Sequence, residues 1–246
     1  MHFRDKVVLV TGGSSGLGLG IAKEFAAQGA YLVITGRRQE QLDSAVAELG
    51  ERAVSVVADV CNSSDLANLF TQTESRHGRI DVLVANAGMG EIAPLGNITE
   101  AHFDRAFNTN VKGVTFTVQS ALPLMGEGGS IVIIGSTASI DPGPGLSVYG
   151  ATKAALRALV RSRILDIKGQ GLRINLLSPG PVDTDSLRNM LAEHAEAVIN
   201  ALRERSTIGR IGHVHEIGKS VAFLASDAAS YINGVELFAD GGASQI

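Results

Sequence analysis

The chain has 246 residues, 45% of them hydrophobic, and a formal net charge of −4 at pH 7. That is enough apolar material for the core of one α/β domain, and the absence of any long Lys/Arg run argues against nucleic acid or an anionic membrane as partner, leaving small-molecule chemistry. The single cysteine, Cys61, cannot make an internal disulfide and is read as a passive thiol; no Cys/His cluster has zinc spacing, so no metal is expected.

Met1 is followed almost at once by an apolar β-branched run, leaving no room for a signal peptide, and no apolar run reaches the ~18 residues of a membrane span. A cytoplasmic protein is expected. In chain order the strand candidates are Val7 to Val10, Tyr31 to Thr35, Val54 to Ala58, Val82 to Ala85, Ser130 to Gly135, Arg173 to Leu177 and Val235 to Ala239. The first six are separated by amphipathic helical patterns of about ten or more residues, several ending in Gly. This alternation predicts an α/β fold: one doubly wound domain over residues 1–246, with a mainly parallel seven-stranded sheet and helices on both faces.

The first strand-to-helix turn is Thr11-Gly12-Gly13-Ser14-Ser15-Gly16-Leu17-Gly18, leading into a helix over Leu19 to Gln28. Glycines let a backbone approach a pyrophosphate, and a helix N-terminus presents free N–H groups and a partial positive charge. The spacing differs from the common G-x-G-x-x-G. Further on, Tyr149 and Lys153 lie four apart at the start of a helical run through Ile167, so phenol and ammonium face one site. A fixed cation beside a phenol lowers its pKa toward working pH, which suits proton exchange with a carbonyl or alcohol oxygen.

Together these segments resemble the short-chain dehydrogenase/reductase family over nearly the entire chain. Thr11 to Gly18 is similar to its TGxxxGxG turn, Tyr149/Lys153 to its YxxxK pair, Asn86-Ala87-Gly88 to its NAG segment, Asn110 to its active-site asparagine and Ser136 to its catalytic serine. Pro179-Gly180, Thr184 and Asp240-Gly241-Gly242 fall in family order. Ala85 stands where a first Asn is frequent, and Gly135 where another Ser is frequent. The resemblance implies a Rossmann-like fold and an oxidoreductase acting on the CH–OH group. It implies Tyr149 as general acid in reduction and base in oxidation, Ser136 bonded to the substrate oxygen, Lys153 on the nicotinamide ribose and Asn110 holding a relay water. Taken singly, Ser136 reads equally as a turn residue, Asn110 as a helix-interior contact and Lys153 as a solvated charge.

Cofactor contacts are expected from Gly12, Ser14, Ser15, Gly16, Leu17 and Gly18, from Asn86, Ala87 and Gly88, and from Tyr149, Lys153, Pro179, Gly180, Val182 and Thr184. The second strand ends in Arg37 and Arg38 without a carboxylate; two guanidiniums suit a ribose 2′-phosphate, so NADP(H) is expected, unless the pair simply opens the next helix into solvent. Asp59-Val60 resembles an adenine-contacting pair, with Asp59 as a local turn residue the equal alternative.

Residues 181–212 fall where the family keeps its variable substrate loop. Leu187, Met190, Leu191, His194, Val198, Ala201 and Leu202 form one apolar helical stripe, read either as a lid or as a helix packed permanently on the core or a neighbour. Met89, Ile140, Pro142, Leu187 and Met190 are candidate pocket walls, with Glu91 or Asp141 at the rim, and His194 is read as a helix-face residue. The expected activity is that of an NADP(H)-dependent carbonyl reductase or alcohol dehydrogenase on a small-molecule carbonyl/alcohol substrate. A 3-oxoacyl-carrier-protein reductase shares every catalytic group, and an NADP(H)-sensing regulatory protein would share the fold. By resemblance the assembly is a homo-oligomer, often a tetramer.

Overall fold

The computed structural model describes residues 3–191 and 195–245, without the side chains of Ser186 and Met190. In chain order the elements are β1 (Val7–Thr11), α1 (Gly16–Ala27), β2 (Tyr31–Gly36), α2 (Gln39–Leu49), β3 (Ala53–Val57), α3 (Ser63–His77), β4 (Val82–Ala85), α4 (Glu100–Phe107), α5 (Val114–Ala121), β5 (Ser130–Ile134), α6 (Ser147–Asp166), β6 (Arg173–Pro179), α7 (Asp185–Leu191), α8 (Ala195–Arg205), α9 (Val214–Ala225) and β7 (Glu236–Ala239).

The strands pair in the order β3-β2-β1-β4-β5-β6-β7, every neighbour parallel. Strand order reverses between β1 and β4, and the carboxyl ends on either side of that switch are where such sheets hold ligands. Alternation along β1 splits the core: Val8 and Val10 pack with α1, α2 and α9 on one face, and Leu9 with α3, α5 and α6 on the other. A Cβ built on Gly20 would stand 2.8 Å from Val214 Cβ, so α1 and α9 pack with little between their backbones.

Most boundaries move by a residue or two. β3 starts at Ala53 rather than Val54, β6 runs on to Pro179, and α1 starts at Gly16 rather than Leu19. The chain from Phe103 to Leu124 is the remainder of α4 and then α5, joined through a wide π-turn, Asn108–Gly113, with a 3-10 turn, Leu122–Leu124, at its end. Such turns rotate one residue off the regular helical face, and here Asn110 is the buried polar one.

In the 181–212 segment, Val182 bridges Gly212, and Thr207 N–H and Oγ1 both donate to the Gly241 carbonyl, at 3.0 and 2.8 Å. The stripe on α8 is centred on Ile199, which is fully buried, with Ala195, Val198 and Leu202 partly buried beside it; Ala201 is exposed, contrary to expectation. His194 and the Met190 side chain lie outside the described residues. Among the described residues no helix is long and apolar enough to cross a membrane, and no His/Cys/Asp/Glu group has the arrangement of a metal site.

Candidate active site

The Gly-rich turn is held from behind. Thr11 Oγ1, at the end of β1, accepts from the N–H groups of Asn86 and Ala87, each at 3.0 Å. Asn86 Nδ2 donates to the carbonyls of Thr11 (2.9 Å) and Gly12 (3.2 Å), so this amide braces the turn against the end of β4. Gly12 adopts φ 64, and a Cβ on Gly18 would fall 2.0 Å from the Gly12 oxygen. Ser15 caps α1 with extended backbone but no side-chain bond, leaving first-turn N–H groups without partners among the described residues, and a Cβ on Gly16 would meet no atom within 4 Å. An uncapped helix start facing open space, reached through glycines, fits the pyrophosphate of a dinucleotide.

Ser14 Oγ lies 3.1 Å from where a Gly36 Cβ would be, placing it beside the end of β2. Arg37 and Arg38 follow, both exposed, and neither has an ion pair among the described residues. Asp59 Oδ1 accepts from Cys61 N–H at 2.9 Å, the local-turn contact of the two readings, while Val60 is buried and would touch any side chain placed at Gly113. Burial pushes the Cys61 thiol up, in keeping with an unreactive cysteine.

Ser136 follows β5 with extended backbone and caps the 3-10 turn Thr137–Ser139, its Oγ accepting from Ala138 N–H at 3.1 Å. Tyr149, partly buried in the first turn of α6, brings its hydroxyl near that of Ser136. Gly150 makes this approach feasible, because a Cβ there would stand 2.6 Å from the Ala138 oxygen. One turn on, Lys153 is buried, donates to the Ile134 carbonyl at 2.9 Å and holds its Nζ 5.7 Å from the Tyr149 ring centre. Asn110 Oδ1 accepts from Met89 N–H (2.8 Å), and its Nδ2 donates to the Met89 carbonyl (2.9 Å) and Thr152 Oγ1 (3.0 Å). Thr152 in turn donates to the Tyr149 carbonyl at 2.7 Å, so the π-turn, the post-β4 loop and the start of α6 form one bonded unit. Thr152 was not anticipated as part of this unit; a buried hydroxyl three residues after the tyrosine is the signal. A Cβ on Gly88 would lie 3.3 Å from Asn110 Oδ1 and 3.6 Å from Lys153 Nζ, which puts Gly88 at the same site.

The electrostatics differ from expectation in one respect. Burial raises the Tyr149 phenol above its ordinary value, and the nearby Ser136 hydroxyl only partly offsets this; Lys153 does not pull it down. Instead burial lowers Lys153 itself to about 8, with no carboxylate to hold its charge. In this state the phenol keeps its proton at neutral pH.

On the substrate side Pro179 ends β6, and Gly180 N–H donates to the Ala239 carbonyl at 3.0 Å. Val182 is buried; Thr184 Oγ1 accepts from Leu187 N–H at 3.1 Å, its own hydrogen remaining available. Met89 and Leu187 are partly buried, and Ile140 and Pro142 are exposed beside the Ser136 turn. Glu91 pairs with Arg105 at 3.1 Å and Asp141 with Arg205, tying the loop after β5 to the end of α8. Arg188 is bonded to Asp183 (2.8 Å) and Arg210 to Glu216 (2.7 Å).

Among known proteins, a family profile described as Enoyl-(Acyl carrier protein) reductase matches residues 12–244. The chain is 41% identical to Oxidoreductase asL5 of Sarocladium schorii, covering 98% of this chain and 96% of that one. It is 36% identical to Dehydrogenase/reductase SDR family member 4 of Oryctolagus cuniculus, covering 97% and 94%. Solved structures with the same architecture include a short chain dehydrogenase from Burkholderia cenocepacia in complex with NADP, at 35% identity and a TM-score of 0.91, covering 99% of both chains. Another is a 3-ketoacyl-(acyl-carrier-protein) reductase from Brucella melitensis complexed with NADH, at 29% identity and a TM-score of 0.91, covering 98% of this chain and 99% of that one.

Proposed function

The chain belongs to the short-chain dehydrogenase/reductase family of oxidoreductases, and on that premise we propose that it is an NADP(H)-dependent carbonyl reductase, interconverting a carbonyl and a secondary alcohol with Tyr149 as general acid/base. The observation that carries this reading is the Ser136–Tyr149 hydroxyl pair beside the buried Lys153, next to a Gly-rich turn that fits a dinucleotide. Two neighbouring hydroxyls suit an oxygen atom as their partner, which argues for C=O rather than C=C as the reacting bond.

When bound, the nicotinamide supplies the hydride. Tyr149 holds the proton at its phenol oxygen and passes it to the substrate oxygen, which Ser136 fixes by a second hydrogen bond. The phenol's raised pKa keeps that proton in place at neutral pH, the form in which it serves as general acid. Lys153 has hydrogens beyond the one given to Ile134 and would hold the ribose hydroxyls; the uncapped start of α1 would hold the pyrophosphate. Asn110 orders the loop at Met89 and, through Thr152, the backbone of Tyr149, and would hold a relay water. Arg37 and Arg38, exposed and without ion pairs among the described residues, support NADP(H) over NAD(H).

A 3-oxoacyl-carrier-protein reductase is the second reading, favoured by the 3-ketoacyl-(acyl-carrier-protein) reductase among the structural relatives. Its acidic carrier needs unpaired cations around the site, whereas Arg188, Arg205 and Arg210 are each paired with a carboxylate. A small carbonyl substrate, a lid over residues 181–212, a cytoplasmic location and a homotetramer complete the proposal. The test is oxidation of NADPH and NADH against aliphatic ketones, aryl ketones, steroids and an acetoacetyl thioester. NADPH-preferring turnover of a free ketone is expected; turnover of the thioester alone would move the assignment to the second reading.

A further inference from the structure

A buried carboxylate stands behind the catalytic residues. Glu236 opens β7 with its side chain 6% exposed, in a strand otherwise made of Leu237, Phe238 and Ala239. Its Oε1 accepts from Ser178 Oγ at 2.7 Å, near the end of β6, and from Ser139 Oγ at 3.0 Å, three residues beyond Ser136. Its Oε2 lies 3.2 Å from Arg157 Nε, one helical turn beyond Lys153 on α6. Two hydroxyl donors and one guanidinium, from three elements, thus converge on one carboxyl group, whose Oε2 has the ion pair but no hydrogen bond.

One glycine is explained by this cluster and a second by the turn beside it. A Cβ on Gly135 would stand 2.3 Å from Ser178 Oγ, so the residue before Ser136 must lack a side chain for that hydroxyl to reach Glu236. A Cβ on Gly150 would stand 2.6 Å from the Ala138 oxygen, so the turn after Ser136 lies directly against α6 beside Tyr149. The contact at Gly150 sets how near the turn and the helix come; the hydrogen bond of Glu236 to Ser139 and its ion pair with Arg157 hold the far end of the turn and the next turn of α6 to the same strand. A buried ion pair is seldom more stable than apolar residues of the same volume, so the cluster is better understood through what it aligns than through its contribution to folding.

We infer that Glu236 is a positioning residue for catalysis, acting through Ser139 and Arg157 to hold the Ser136 hydroxyl in register with Tyr149. The inference rests on the reductase reading above. It is tested with Glu236→Gln, which keeps shape and removes charge, and Ser139→Ala, which cuts only the link to the turn and leaves the carboxylate with Ser178 and Arg157. Each is assayed for NADPH-dependent turnover of the best ketone and, by fluorescence titration, for NADPH affinity, alone and in a Ser136→Ala background. We expect kcat to fall about tenfold in E236Q and about threefold in S139A, with NADPH affinity within about twofold of the parent, since small misplacements near reacting groups are costly in rate. In the Ser136→Ala background neither change should lower kcat further, because the group they position is gone. Parental kcat in both variants, or losses that multiply with that of Ser136→Ala, would overturn the inference alone. Absence of carbonyl turnover in the parent protein would overturn the reductase reading and the inference with it. Should E236Q fail to fold, S139A carries the same comparisons.

Discussion

Replacing Lys153 by Met should abolish turnover and yet make the protein more stable at neutral pH. Burial holds the Lys153 ammonium at about 8, against 10.5 in an exposed chain. At about 1.4 kcal/mol per pKa unit, that difference sets about 3 kcal/mol of folding free energy against the charged side chain. The folded group loses its proton near pH 8 and the unfolded one near 10.5, so the penalty is present in full below pH 8 and is relieved as pH rises from 8 to 10.5. Methionine fills similar space without charge but leaves the Ile134 carbonyl without its donor, at a cost of about 1 kcal/mol. The variant should therefore be about 2 kcal/mol more stable than the parent at pH 7, with the advantage shrinking and then reversing toward pH 10.5. Urea unfolding of both proteins without cofactor, at pH 7, 8.5 and 10, measures this, and taking the difference cancels the other titrating groups, Tyr149 included. A variant less stable than the parent at pH 7, or a difference that does not move with pH, would refute the reasoning.

Further predictions concern the cofactor, the serine turn and the lid. Replacing Arg37 and Arg38 together by Ala should weaken NADPH relative to NADH by on the order of a few kcal/mol, read by titration of both nucleotides; an unchanged ratio would mean that another group binds the phosphate. Gly150→Ala drives a methyl group into the Ala138 carbonyl and should destabilise the protein by about 1–3 kcal/mol in urea unfolding, while lowering kcat more than it weakens NADPH; full activity would mean that the turn and α6 can separate freely. Leu187→Ala should raise KM for apolar ketones at least about threefold and leave NADPH affinity unchanged, whereas equal KM values for apolar and polar ketones would remove the lid from substrate recognition.

Strands β1, β2, β4 and β5 were legible because each is an apolar run rich in β-branched residues and buried almost throughout, and the turn and the Tyr149/Lys153 pair because local spacing alone places them. The π-turn at Asn110 was not, since a one-residue widening leaves the apolar periodicity of Phe103 to Leu124 intact. Ile199 is buried and Ala201 exposed on α8 because burial depends on which side meets the protein, which period alone leaves open by a residue or two. The Tyr149 pKa was misjudged because the spacing shows a neighbouring charge and not the burial of that charge, and burial dominates both groups. Glu236 was passed over although a carboxylate opening an apolar strand is an anomaly; its partners Ser139, Arg157 and Ser178 come from three other parts of the chain.

The most direct test of the central claim compares the parent protein with Tyr149→Phe, following NADPH consumption with the best ketone and NADPH affinity by fluorescence. Loss of nearly all turnover at close to parental affinity is predicted, because the variant keeps the cofactor site and removes only the phenolic proton. Substantial turnover by the variant would contradict the role of Tyr149 as the proton donor.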